Sequence, residues 1–143
     1  RIPHSGMQAQ DAKSLLKSMS PLLSQEKYYF ATVGEQYLMN LAGYLQYILC
    51  VFREKEGITF VFSEELQTII EPLSSKKISG PFALITLAVE SDLEAVGFLA
   101  AVSSALAKEK IPCNAFSAYH HDHLFVPYAQ REKALAVLKK LQK

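Results

Sequence analysis

The sequence predicts an α+β fold, a ferredoxin-like βαββα sandwich in which helices cover antiparallel strands, and three observations carry that reading. From Phe82 onward the apolar pattern runs strand, helix, strand, strand, helix, a split βαβ arrangement that lacks only a closing strand. The first half reads as a less regular version of the same plan, one hairpin with flanking helical stretches, which suggests an internal duplication although the halves share little residue identity. Half of the 143 residues are apolar, enough to bury the core of one compact domain or of two small modules joined through a shared sheet.

The elements follow in order. Residues 1–10 open RIPHSG ahead of Met7 and are read as a tag or disordered leader, so His4 is set aside. From Asp11, Leu15, Leu16 and Met19 fall at helical spacing, with Pro21 just beyond. Tyr28–Val33 (YYFATV) is aromatic and β-branched and reads as a strand. Residues 36–46 are apolar without a clean period and are expected to form a loop or short helix. Tyr47–Phe52 and Ile58–Phe62 form a hairpin around the charged tip Arg53-Glu54-Lys55-Glu56-Gly57, where Gly57 supplies the positive φ of a bulged turn. Ser63 then looks like the cap of a helix whose first turn holds Glu64 and Glu65.

The stretch around Ser74, Ser75, Lys76, Lys77 and Gly80 is a connection. The expected division is therefore a first module over 11–72, a linker over 73–81 and a second module over 82–143. Phe82–Val89 (FALITLAV) is almost continuously apolar, as a strand covered on both faces would be. Ser91-Asp92-Leu93-Glu94 has the spacing of a capping box, and the helix it would start places Leu93, Val96, Leu99, Val102 and Leu106 on one stripe before Pro112 stops it. Cys113–Tyr119 and Leu124–Tyr128 are two further strands, and residues 130–142 are a last helix with Ala134, Leu135, Leu138 and Leu141 inward.

Composition removes several functions. Fifteen basic against fourteen acidic residues, with no long run of one sign, give no electrostatic footprint for nucleic acid or an anionic membrane. Two cysteines, Cys50 and Cys113, are too few for a disulfide framework and fit a reducing cytosol. No apolar run reaches the ~18 residues of a membrane span, and no secretory leader is evident, so a soluble, cytoplasmic protein is expected. No nucleophile elbow, zincin helix, phosphate loop or dinucleotide fingerprint argues for catalysis.

Four segments in order, SMSPLL (Ser18–Leu23), FREKEGITFVF (Phe52–Phe62), LITLAVESDLEAVGFLAA (Leu84–Ala101) and YHHDHLFVP (Tyr119–Pro127), resemble a family of small proteins with two tandem ACT-like modules, largely without assigned activity. The likeness runs from about Leu15 to the C-terminus; it departs in a longer segment between Gly34 and Gln46 and in His120, where a tyrosine is more typical. It implies two modules with antiparallel sheets packed side by side and a small ligand, usually an amino acid, held where modules meet. The contacts it implies come from the loop Glu90, Ser91, Asp92, Leu93 and Glu94 and from the strand around Cys113 and Asn114. The residues themselves support the loop: unpaired amides at a helix start attract a carboxylate, and Gly97 admits close approach. The same capping box also serves simply to start a helix, and Asp92 would repel an anion while holding an ammonium group.

The motif AYHHDHLFVP (Ala118–Pro127) sets three histidines around Asp122. On a strand His120 and His121 point to opposite faces and cannot share an ion, whereas His121 and His123 can converge across a turn with Asp122 at its tip. A zinc site needs three or four ligands, and Cys113 lies about 26 Å back along an extended strand. The motif is thus read as a hairpin of a binding fold, with His121, Asp122 and His123, and separately Arg53, as possible secondary ligand contacts and no metal or other cofactor. In the family resembled, His121, Asp122, His123, Phe125, Val126 and Pro127 recur as a unit.

The expected function is a non-catalytic sensor or regulator that binds a small amino-acid-like ligand between its two modules and is open to homodimer formation. The alternatives are a structural or protein-interaction module whose cleft is degenerate, and a metal-dependent enzyme using His121, Asp122 and His123. An open cleft beside Ser91 separates the first from the second.

Overall fold

The structure, a computed structural model, describes residues 11–143; the tag or leader expected over 1–10 lies outside the described residues. In chain order these form helix α1 (Ala12–Ser18), strands β1 (Pro21–Leu23) and β2 (Tyr28–Val33), a short helix α2 (Leu38–Leu41) flanked by 3-10 turns, strands β3 (Ile48–Glu54) and β4 (Gly57–Ser63), and a short helix α3 (Gln67–Ile70). Strand β5 (Ser79–Leu87), helix α4 (Phe98–Lys108), strands β6 (Asn114–Ser117) and β7 (Asp122–Pro127), and helix α5 (Arg131–Gln142) complete them. They gather into two compact units, Glu26–Phe82 and residues 11–25 with Ala83–Lys143. The segment holding α1 and β1 thus packs with the C-terminal half.

In the unit Glu26–Phe82 the strand order is β3-β4-β2-β5, the last place filled by residues 79–82. Strands β2 and β4 pair antiparallel without interruption from Tyr28↔Ser63 to Val33↔Ile58. Alternation then sends Ile58, Phe60 and Phe62 into one cluster with Ala31, Val33, Leu41, Leu66 and Ile70. The hairpin tip is tighter than expected: pairing continues to Glu54↔Gly57, leaving Lys55 and Glu56 as a two-residue turn, and Gly57 sits at φ +153°. Ser63 occupies the N-cap position of a 3-10 turn over Glu64–Leu66 that precedes α3, but its side chain makes no cap hydrogen bond and its hydroxyl donates instead to the Tyr47 carbonyl at 3.4 Å. Residues 35–47 are successive short turns, which is why they show no clean period.

The stretch 73–81 is tied down rather than loose. Ser75 donates its amide to Thr32 O at 2.9 Å, and Ser74 Oγ accepts from the Thr32 amide at 3.3 Å. Strand β5 starts at Ser79 instead of Phe82, because Gly80 and Pro81 sit in a bulge between the pairs Phe30↔Ser79 and Tyr28↔Phe82. A bulge is where a strand tolerates the missing N–H of proline.

The other unit has the order β1-β5-β7-β6. The closing strand absent from the C-terminal sequence is β1, paired antiparallel to β5 through Pro21↔Leu87, Leu22↔Thr86 and Leu23↔Ile85. Ala83, Ile85 and Leu87 of β5 and Leu124 and Val126 of β7 pack against Phe98, Val102 and Leu106 of α4 and Ala134 and Leu138 of α5, with Leu15 and Met19 joining the same cluster. Each large apolar side chain buried there contributes about 1.5–3 kcal/mol. Both units are ferredoxin-like, and the fold is α+β as the sequence pattern indicated.

Candidate functional site

The path from β5 to α4 differs from the capping box expected at Ser91–Glu94. Helix α4 starts at Phe98, so Ser91 is no N-cap. Its hydroxyl instead donates to Asp122 Oδ2 at 2.9 Å, and Asp92 Oδ1 accepts the Glu94 amide at 2.9 Å, closing a local turn that competes with helix. Leu93 and Val96, placed on the buried stripe by the sequence, are 61% and 75% exposed, and the inward positions are Phe98, Val102 and Leu106. Gly97, at φ +88°, is the residue before the helix and has no side chain to cap it. The amides of Phe98, Leu99 and Ala100 precede the first intrahelical bond, from Ala101 N to Gly97 O at 3.0 Å.

Phe98, Leu99 and Ala100 border a hollow of about 110 Å³, walled also by the loop at Asp92, Leu93 and Ala95, by Gly97, and by Ser117 and Asp122 of the β6–β7 hairpin. Asp122 is 3% exposed and Asp92 9% exposed. Two acidic residues and a helix start therefore line one small volume, a placement that brings donors suited to an anionic group near acceptors suited to a cationic one.

The hairpin also departs from expectation. Asp122 is not at a turn tip; β7 begins there, two residues before the predicted strand, with Asp122 opposite Ser117. The turn is Ala118–His121, closed by Ala118 N donating to His121 O at 3.1 Å. Because His120 and His121 lie in that turn, strand alternation does not separate them, and both reach the loop after β5. His121 Nδ1 lies 3.3 Å from Val89 O, and His120 Nδ1 lies 3.2 Å from Glu90 Oε1. Burial opposes ionisation of Glu90, yet its carboxyl is held below the usual range, the hydrogen bond with His120 being the leading favourable cause. His123 Nδ1 is 2.9 Å from Thr86 Oγ1. The His121 and His123 rings are 6.5 Å apart, and among the described residues no three His, Cys, Asp or Glu side chains are grouped to hold a metal ion.

The remaining candidates lie elsewhere. Glu94 is exposed. Cys113 packs against the core of its unit, where burial pushes its thiol pKa up, and Asn114 is an exposed residue of β6 opposite Phe125; neither borders the hollow. Arg53 is an exposed residue of β3 in the unit Glu26–Phe82, ion-paired with Glu35 at 2.7 Å. Ser117 and the first turn of α4 border the hollow without having been named from the sequence. Gly97 followed by a long apolar run was the available signal for the second, and nothing marked Ser117.

Two family profiles match the chain, both described as ACT domain, over residues 9–67 and 81–140. No curated protein matches it. Among solved structures, a protein of unknown function from Vibrio cholerae, described as a possible transport protein, is 36% identical with a TM-score of 0.77, covering 92% of this chain and 95% of that one. A protein from Agrobacterium tumefaciens, at 15% identity and TM-score 0.66, covers 85% of this chain and 87% of its own, and the regulatory subunit of aspartate kinase from Thermus flavus, at 9% identity and TM-score 0.64, covers 86% and 97%. The last two likenesses show the shared fold. With two ACT profiles in tandem over a ferredoxin-like architecture, and a relative alike along nearly its whole length, the chain belongs to the small proteins built from two ACT domains.

Proposed function

We propose that this protein is a non-catalytic sensor that binds a small amino acid in the hollow between the β5–α4 loop and the β6–β7 hairpin. The observation that carries the reading is the meeting of Asp92 and Asp122 with the uncapped first turn of α4 around one open volume. A ligand carboxylate suits the amides of Phe98–Ala100, and its ammonium group suits the aspartates. ACT domains are typically small-molecule-binding regulatory domains, which supports a sensing role. Thermal-shift titration against the common amino acids tests it. At a hundredfold excess over Kd, stabilisation by about 2.7 kcal/mol is expected, and no shift from any amino acid at tens of millimolar would defeat the reading.

A second reading, a protein-interaction surface, is favoured by one observation on the other unit. Leu49, Val51 and Phe52 of β3, the edge strand of that sheet, are exposed, as are Met39 and Leu45. Sedimentation of the wild type against Phe52→Lys tests it: loss of a concentration-dependent dimer supports the reading, and identical behaviour as monomers removes it.

A further inference from the structure

The histidine-rich hairpin is, apart from Asp122, unused by the ligand contacts proposed above, and its geometry gives it another task. Three consecutive loop residues are each held by one of three consecutive hairpin residues. Val89 O meets His121 Nδ1 at 3.3 Å, Glu90 Oε1 meets His120 Nδ1 at 3.2 Å, and Ser91 Oγ donates to Asp122 Oδ2 at 2.9 Å. His123 adds a contact to Thr86 of β5, at 2.9 Å, just upstream. The chain then runs from Ser91 directly into Asp92 and Leu93, which wall the hollow.

A carbonyl oxygen only accepts, so His121 Nδ1 carries its proton and donates to Val89 O. His120 presents the same nitrogen to a carboxylate, a charge-assisted contact when the imidazole is protonated. The Ser91–Asp122 bond is the buried one of the three; the His121 contact is part-buried and the His120 contact exposed. We infer that His120 and His121 are positioning residues: with Asp122 they clasp Val89–Ser91 to the hairpin and so fix the wall of the ligand hollow.

Hydrogen exchange on the whole protein, without ligand, tests the clasp. A net hydrogen bond is worth roughly two- to tenfold in an opening equilibrium. His120→Ala with His121→Ala is therefore expected to speed amide exchange over residues 89–95 about five- to tenfold, with α5 and β3–β4 unchanged. His121→Asn, whose side-chain amide can donate to Val89 O, restores protection to within about twofold of wild type when His120 is intact, and His121→Ala does not. If the double variant unfolds, His120→Ala alone, at an exposed side chain, carries the same test at about twofold. Unaltered exchange over 89–95, an equal rise across α5, or Asn performing no better than Ala would each overturn the clasp.

A second arm rests on the proposed function: an amino acid that stabilises the wild type binds the double variant about fivefold more weakly. Absence of binding to the wild type defeats that function and leaves the exchange result to judge the clasp.

Discussion

The bond between Ser91 and Asp122 is the place where the loop and the hairpin lock, and a double-mutant cycle gives its strength. Both side chains are buried, at 1% and 3% exposure, and the Oγ to Oδ2 distance is 2.9 Å. A hydrogen bond to a charged acceptor contributes about 1.5–3 kcal/mol net. Ser91→Ala withdraws one donor from a buried carboxylate, and Asp122→Ala strands a buried hydroxyl, each at a cost of about 1–3 kcal/mol. The double variant loses both ends at once and is expected to cost less than the sum, with a coupling of about 1.5–3 kcal/mol. At about 2.1 cal/mol/K per residue, unfolding entropy for a chain this long converts that coupling to roughly 5–10 °C in Tm. Urea denaturation of the four proteins measures it directly. A coupling below about 0.5 kcal/mol would refute the claim that this pair locks the two segments together.

Three other outcomes follow from the packing. Gly80→Ala is expected to destabilise the unit Glu26–Phe82 by about 1–3 kcal/mol in denaturant titration, because a Cβ would lie 2.8 Å from Tyr28 O and 2.6 Å from Tyr29 Cδ2 at a φ of +143°. Met19→Ala is expected to destabilise the unit containing α4 and α5 by about 2–5 kcal/mol, since Met19 is fully buried in that cluster although it comes from the far end of the chain; an unchanged denaturation midpoint would contradict its place there. Burial pushes both thiols above the ordinary cysteine value, so at pH 7.5 Cys50 and Cys113 hold less thiolate than a free thiol. Their alkylation, followed by mass spectrometry, is expected to be slower than that of glutathione and to accelerate with rising pH.

What the sequence made legible is local. The strand Tyr28–Val33 was marked by six aromatic, small and β-branched residues in a row, and the pairing of Ile48–Glu54 with Gly57–Ser63 by a glycine beside a charged tip. The helix of residues 131–142 announced itself by period. What stayed hidden depends on partners distant in the chain. Pro21–Leu23 is three residues long, too short to show a period, and becomes a strand only because β5 offers it an edge about sixty residues on. The capping-box spacing at Ser91–Glu94 is real, but the Glu94 amide donates to Asp92 Oδ1 instead of to the Ser91 hydroxyl, which is held by Asp122, and the helix starts only after Gly97. Gly80 and Pro81 read as breakers and are breakers, yet a bulge absorbs them inside a strand. At the candidate site, sequence picked the loop and Asp122 but missed Ser117, whose place beside the hollow comes only from its register opposite Asp122.

Amide chemical-shift mapping of the labelled protein during titration with individual amino acids tests the central claim most directly. The account predicts, for at least one small amino acid, saturable shifts concentrated among the residues that border the hollow, Phe98, Leu99, Ala100, Ser117 and Asp122 foremost. Spectra unmoved by every amino acid at millimolar concentration, or shifts gathered instead along the lysine-rimmed groove of α4 and α5 at Lys108, Lys133 and Lys140, would contradict it.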